Sequence, residues 1–164
     1  MTLREEALEA CYRRIEKPLF NVLYRLLWQA QDCQDVIHDA CMRVWAQRTR
    51  VDEATLDALL WATALNLAKN RLRWRGLWRF APLDEADGLA YEGGENDFLA
   101  TRRLRQALRK LPESSRDVLL LAEFSGLAGA EIASVLGIPA GTVASRKHHA
   151  MQRLKTLLGE PDHA

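Results

Sequence analysis

The tripeptide Gly137-Ile138-Pro139 constrains this chain more than any other feature, because it ends one apolar helical pattern and starts another within three residues. Ahead of it, Ile132, Ala133 and Leu136 recur at helical spacing in a short segment from about Ala128. Gly137 stands where a helix end usually needs a positive φ, Ile138 can plug a core, and Pro139 blocks continuation of the helix it follows. Beyond it, Val143, Ala150, Leu154 and Leu157 predict a further helix from near Ala140 to Leu158. Upstream, Leu111-Pro112 opens a helix with Val118, Leu119, Leu121 and Ala122 on one face, and Gly126 stops it. Two helices meeting at such a turn, with small Ala133 where they cross, predict a helix-turn-helix.

The last of these helices is basic. It carries Arg146, Lys147, His148, His149, Arg153 and Lys155, and no acidic residue lies between Glu131 and Glu160. Its inward set leaves Thr142, Ser145, Arg146 and His149 outward near the N-terminal half, the half that enters the major groove in a helix-turn-helix. Arg146, Lys147 and Arg153 suit phosphates, with a steep salt dependence. Base preference then falls to Thr142, Ser145, Arg146 and His149. An imidazole gains charge near neutrality, so His149 also predicts DNA affinity that depends on pH. The bland alternative is a solvated basic helix at the end of a bundle.

The net charge of +1 on 164 residues hides a pattern. Residues 1–75 hold 12 basic and 10 acidic side chains, residues 76–98 hold one and six, and residues 99–164 hold 10 and 6. Two basic blocks around an acidic connector suggest two nucleic-acid-facing domains on a tether. The 48% hydrophobic content is ample for buried cores, and no run approaches the roughly 20 apolar residues of a membrane-spanning helix. Cys11, Cys33 and Cys41 are an odd count behind an N-terminus without an apolar leader, which predicts buried thiols in a cytoplasmic protein.

In chain order, Thr2 and Glu5 fit a capping box ahead of a stripe of Leu3, Ala7, Leu8, Cys11, Tyr12 and Ile15. Pro18 predicts a break, and Leu19, Phe20, Leu23, Leu26 and Leu27 a second helix to about Gln29. Asp32 can cap a third, with Val36, Ile37, Ala40 and Val44 buried. Asp35 and Asp39, one turn apart with His38 beside them, fit an acid-base pair, a metal site or a solvated strip. Zinc on Cys33, His38 and Cys41 is the competing reading, weakened because spacings of five and eight point ligands to different faces or turns of a helix.

Residues 48–58 read as a loop, and the helix from Leu59 is apolar at Leu60, Ala64, Leu67, Ala68 and Leu72. Its other face gathers Lys69, Arg71, Arg73, Arg75 and Arg79 with Trp61, Trp74 and Trp78, and no acid lies between Asp57 and Asp84. Cations for phosphate and indoles for unpaired bases suit single-stranded or melting DNA. A core tryptophan on a basic helix is the alternative. Residues 76–97 read as a linker, and Leu99, Leu104, Ala107 and Leu108 predict a helix from Phe98 to Lys110.

The words LPESSRDVLLL, EIASVLGIPAGTVASR and QRLKTLL closely resemble the promoter-reading domain of the extracytoplasmic-function sigma factors of bacterial RNA polymerase. The resemblance extends over almost the whole chain. Asp32-Cys33-Gln34-Asp35-Val36-Ile37-His38-Asp39 is similar to the family's segment for the polymerase β′ clamp helices, implying Asp32, Asp35 and Asp39 as polymerase-facing carboxylates. Ala64-Leu65-Asn66-Leu67-Ala68-Lys69-Asn70 is similar to its −10 melting helix, implying contacts from Trp61, Asn66, Lys69, Asn70, Arg71, Arg73 and Arg75.

The resemblance implies an all-α fold in two small domains. A four-helix domain over residues 1–75 binds core polymerase and opens the −10 element. A flexible acidic linker spans 76–97, and a helix-turn-helix domain over 98–160 reads the −35 element with Thr142, Ser145, Arg146, Lys147, His149 and Arg153. The implied partners are core RNA polymerase through its β′ clamp helices and β flap, promoter DNA and an anti-sigma factor. No catalysis, cofactor, metal, small-molecule substrate or membrane insertion is implied. The acidic linker is either a plain tether or a charge mimic of nucleic acid. Two readings of other classes are a stand-alone helix-turn-helix regulator and a metal or thiol sensor built on Cys11, Cys33, Cys41 and His38.

Overall fold

The computed structural model describes residues 2–77 and 95–159, and the described residues are helical with connecting turns and no strand. The α-helices are α1 (Glu5–Leu27), α2 (Ala30–Ala46), α3 (Leu56–Leu77), α4 (Glu95–Lys110), α5 (Glu113–Phe124), α6 (Gly129–Leu136) and α7 (Ala140–Leu157), with one 3-10 turn at Glu53–Thr55. The chain divides into two compact units, one centred on α1, α2 and α3 and the other on α4, α5, most of α6 and α7.

Among the described residues the first unit is built on three α-helices rather than the four expected, because α1 runs unbroken through Pro18. Proline in a helix interior removes one hydrogen bond and costs about 3 kcal/mol. The residue four back, Arg14, is exposed, so water can satisfy the carbonyl that loses its partner. Against that cost, Cys11, Ile15, Leu19, Val22, Leu23, Leu26 and Leu27 stay in helical phase and are buried on one face. Each fully buried aliphatic side chain contributes about 1.5–3 kcal/mol, so continuity wins.

The N-terminus of α1 also differs from expectation. Arg4 is the N-cap and no side chain caps it, so the Thr2–Glu5 box does not form. Tertiary contacts fix the entry instead: Leu3 is buried, its N–H donates to the Arg48 carbonyl at 2.8 Å, and Arg4 pairs with Glu53 at 2.9 Å. At the other end Trp28 is left-handed at φ 58°, a conformation disfavoured for a residue with a Cβ. Burial of its ring to 8% exposure and a 2.8 Å bond from its N–H to the Tyr24 carbonyl hold it there.

α1, α2 and α3 pack on one another pairwise. Their shared core includes Leu19, Leu23, Leu27, Val36, Ala40, Leu60, Ala64 and Ala68. Cys11 and Cys33 are fully buried and Cys41 partly so, all as free thiols. Burial pushes the Cys11 and Cys33 thiols up to about 12. Cys11 is also a neighbour of Asp57, which pairs with Arg14 at 2.7 Å and ties α1 to the first turn of α3. Burial acts to raise the Asp57 carboxyl, but hydrogen bonds from Cys11 and Arg14 hold it below its ordinary value.

In the second unit α5 packs on α7, with α4 also against α7. Val118, Leu119, Leu120 and Leu121 of α5 are buried, as are Ile132 of α6 and Val143 and Ala150 of α7. Gly126, at φ 73°, turns the chain out of α5. α6 starts with its Ala128 N–H bonded to the Glu131 carboxylate at 3.0 Å. It ends at Gly137, φ 66° and ψ 36°, where the Gly137 and Ile138 N–H groups both turn back to the Ala133 carbonyl.

Candidate nucleic-acid and partner interface

Pro139 is the N-cap of α7 and its carbonyl accepts from the Thr142 and Val143 N–H groups at 3.0 and 3.2 Å. The first turn of α7 holds no acidic residue. Val143 and Ala150, two turns apart, anchor the helix, and Leu154 and Leu157 are half-buried beyond them. That phase exposes Ser145, Lys147, His149 and Arg153 and leaves Thr142 and Arg146 half-exposed, so the six side chains expected to read DNA all reach the surface of one helix. His148 and His149 lie edge to face with ring centres 5.8 Å apart. Lys147 has a loose surface partner in Glu123 of α5, at 3.9 Å, an arrangement too exposed to hold it against a phosphate.

α3 divides the aromatic and basic residues that the sequence groups together. Asn66, Asn70, Arg73 and Trp74 are exposed at successive turns, with Lys69 half-buried beside them, and Trp74 shows 62% of its surface. Trp61 corrects the expectation: it is 1% exposed and cannot stack on a base without unfolding the helix around it. It shares its face with Leu60, Ala64, Leu65 and Ala68, all buried, and counting helical phase from Ala64 and Ala68 would have put it in the core. Among the described residues of α3, Trp74 is the exposed indole. Trp78, Arg79 and the acidic residues from Asp84 to Glu92 lie outside the described residues.

The three acidic residues of α2 separate as well. Asp39 is exposed, and Asp35, 45% exposed, accepts a 3.0 Å bond from Gln31 one turn earlier. Asp32 neither caps α2, whose N-cap is Gln29, nor stands open: it accepts from Arg71 at 3.0 Å and from Arg75. Two residues expected on DNA are therefore paired with one expected on polymerase. Arg75 also donates to the Leu27 carbonyl at 2.8 Å, closing the C-terminus of α1. These contacts cross some 39 to 48 residues and have no local sequence signal.

α1 and α2 form a groove of about 630 Å³. Leu8, Tyr12, Phe20 and Ile37 line it, with Glu9, Glu16 and His38 at its edge. Among the described residues no group of three or more His, Cys, Asp or Glu side chains gathers at metal-binding distance, and buried Cys33 and exposed His38 share no common site. No helix among the described residues is long and apolar enough to cross a membrane.

Comparison with known proteins agrees with this geometry unit by unit. The Sigma-70 region 2 family matches residues 11–77, spanning most of α1 and all of α2 and α3, and the Sigma-70, region 4 family matches residues 101–154, from α4 into α7. The ECF RNA polymerase sigma factor SigE of Mycolicibacterium smegmatis is 28% identical over 87% of this chain, which spans 58% of SigE's length. The RNA polymerase sigma-H factor of Pseudomonas aeruginosa is 28% identical over 94% of this chain and 87% of its own. SigW of Bacillus subtilis is 25% identical over 85% of this chain and 82% of its own. Two solved structures share the fold: CnrH in complex with the cytosolic domain of CnrY, with a TM-score of 0.71, 24% identity and coverage of 95% of this chain and 90% of that one, and the sigma factor RpoE with the anti-sigma factor NepR from Bartonella quintana, at 0.61, 23%, 94% and 93%. With both sigma regions matched in order, and both built as the sequence requires, the chain belongs to the sigma-70 family as a factor of the extracytoplasmic-function class.

Proposed function

We propose that this protein is an alternative sigma factor that binds core RNA polymerase and carries it to a particular set of promoters. The observation that carries the reading is the pairing of two exposed faces on one chain: a helix-turn-helix whose α7 presents Thr142, Ser145, Arg146, Lys147, His149 and Arg153, and a helix α3 that presents Asn66, Lys69, Asn70, Arg73 and Trp74. The first suits duplex DNA in the major groove at the −35 element, and the second suits an unpaired −10 strand, with Trp74 as the stacking surface.

Asp35 and Asp39 on α2 form the polymerase-facing acidic edge, directed at the β′ clamp helices. The second domain meets the β flap. The protein acts in the cytoplasm by binding, spending contact energy on position and strand opening, while bond making belongs to polymerase. An anti-sigma factor that covers these faces fits the same surfaces.

Core binding tests the reading. Labelled protein titrated with core polymerase should bind tightly, and Asp35→Ala with Asp39→Ala should weaken binding at least tenfold while leaving the fold intact. A folded protein that ignores core polymerase, yet selects a duplex sequence, would make it a stand-alone regulator.

A further inference from the structure

The corner where α1, α2 and α3 meet holds a cluster that the assignment above leaves unused. Arg71 Nη1 donates to one Asp32 oxygen at 3.0 Å and Arg75 Nη2 donates to the other. Arg75 Nη2 also lies 3.4 Å from Gln29 Oε1, and Arg71 Nη1 lies 3.9 Å from Asp35 Oδ2. The Asp32, Arg71 and Arg75 side chains are 23%, 34% and 32% exposed, so the cluster is open on one side to solvent. Two guanidinium groups, one turn apart on α3, thus converge on a single anion. That is the arrangement by which arginines take up a phosphate, and a carboxylate occupies it.

We infer that Asp32 is an internal stand-in for a nucleic-acid phosphate. In the free protein it holds Arg71 and Arg75, and a backbone phosphate of the opened −10 strand displaces it. The inference rests on reading α3 as the −10 helix, and it makes Asp32 a positioning residue rather than a polymerase contact. With Asp32 in place the trio carries one net positive charge, and without it two. Free protein therefore attracts single strands weakly, and the exchange becomes favourable when polymerase and the other α3 contacts hold the strand at the site. Water at the open side can take up the Asp32 oxygens as they are released.

The test uses the full-length protein without polymerase, a fluorescein-labelled 20-nucleotide oligothymidylate, and anisotropy across a salt series. Asp32→Asn should bind about three- to tenfold tighter than wild type at low salt, with the log-log salt slope steeper by about 0.7 to 1.4, the value for one or two further phosphates on a single strand. Asp32→Glu, which restores the charge, should return toward wild type, and Arg71→Gln added to Asp32→Asn should remove most of the gain. Asp32→Ser supplies a second neutral side chain if the amide variant fails to fold. An unchanged affinity in the folded neutral variants overturns the inference, and so does loss of core polymerase binding by Asp32→Asn with no gain on the oligonucleotide. If wild type itself fails to bind core polymerase, the sigma assignment fails while the oligonucleotide comparison still reads the clamp.

Discussion

Replacing Gly137 by alanine isolates the backbone term at the turn of the helix-turn-helix. Gly137 has φ 66°, and a methyl group placed on its Cα meets nothing within 4 Å, so a clash adds nothing to the cost. What remains is the left-handed backbone, about 1–2 kcal/mol for a residue with a Cβ. Gly141 provides the control. It lies within α7, its φ is not positive, and its added methyl also meets nothing within 4 Å, so Gly141→Ala should stabilise by about 0.5 kcal/mol through lower chain entropy. The tryptophans make the assay selective, because Trp28, Trp45, Trp61, Trp74 and Trp78 all precede residue 79. Trp fluorescence thus follows the first unit and far-UV circular dichroism follows both. In thermal unfolding, Gly137→Ala should lower the second-unit transition by about 4–16 °C and leave the fluorescence midpoint in place. A neutral or stabilising Gly137→Ala would refute the assignment of the turn.

Other consequences follow from the same contacts. Cys11 and Cys33 are held protonated by burial up to about 12 against an ordinary 9.0, so their contribution to stability is complete below pH 9 and is lost as pH rises from 9 to 12; urea midpoints followed by Trp fluorescence should fall between pH 8 and pH 10.5. Cys41, partly exposed, should react with a thiol reagent well before the other two in native protein, and simultaneous reaction of all three would contradict the packing. Arg153→Gln should weaken duplex binding on all sequences alike and lower the salt slope by about 0.9, whereas Ser145→Ala should change which −35 sequence is selected. Trp74→Ala should lower affinity for an unpaired −10 strand by about 1–3 kcal/mol in a strand-binding assay, and Trp61→Ala should instead lower the first unit's unfolding midpoint.

The parts of this molecule legible in its sequence are those with local causes. Gly137 and Pro139 announce the turn because one tolerates positive φ and the other cannot continue a helix. The periodicity of Val143, Ala150, Leu154 and Leu157 fixes which side of α7 faces out. Pro18 misleads for the opposite reason: its breaking tendency is local, and the buried stripe from Cys11 to Leu27 that overrides it is a tertiary effect. Trp61 and Trp74 look alike in composition and differ by helical phase. The Asp32, Arg71 and Arg75 cluster has no local signature, since its partners meet only after α1, α2 and α3 have packed. Resemblance to the family implies which faces matter, but not that three of the expected contact residues, Asp32, Arg71 and Arg75, are already engaged with one another.

The central claim is tested most directly by mapping transcription starts made by core RNA polymerase on a promoter library, with and without this protein. Discrete starts should appear only when it is added, share two sequence elements at a fixed spacing, and vanish with Asp35→Ala and Asp39→Ala together. A folded protein that leaves the start profile of core polymerase unchanged would contradict the account.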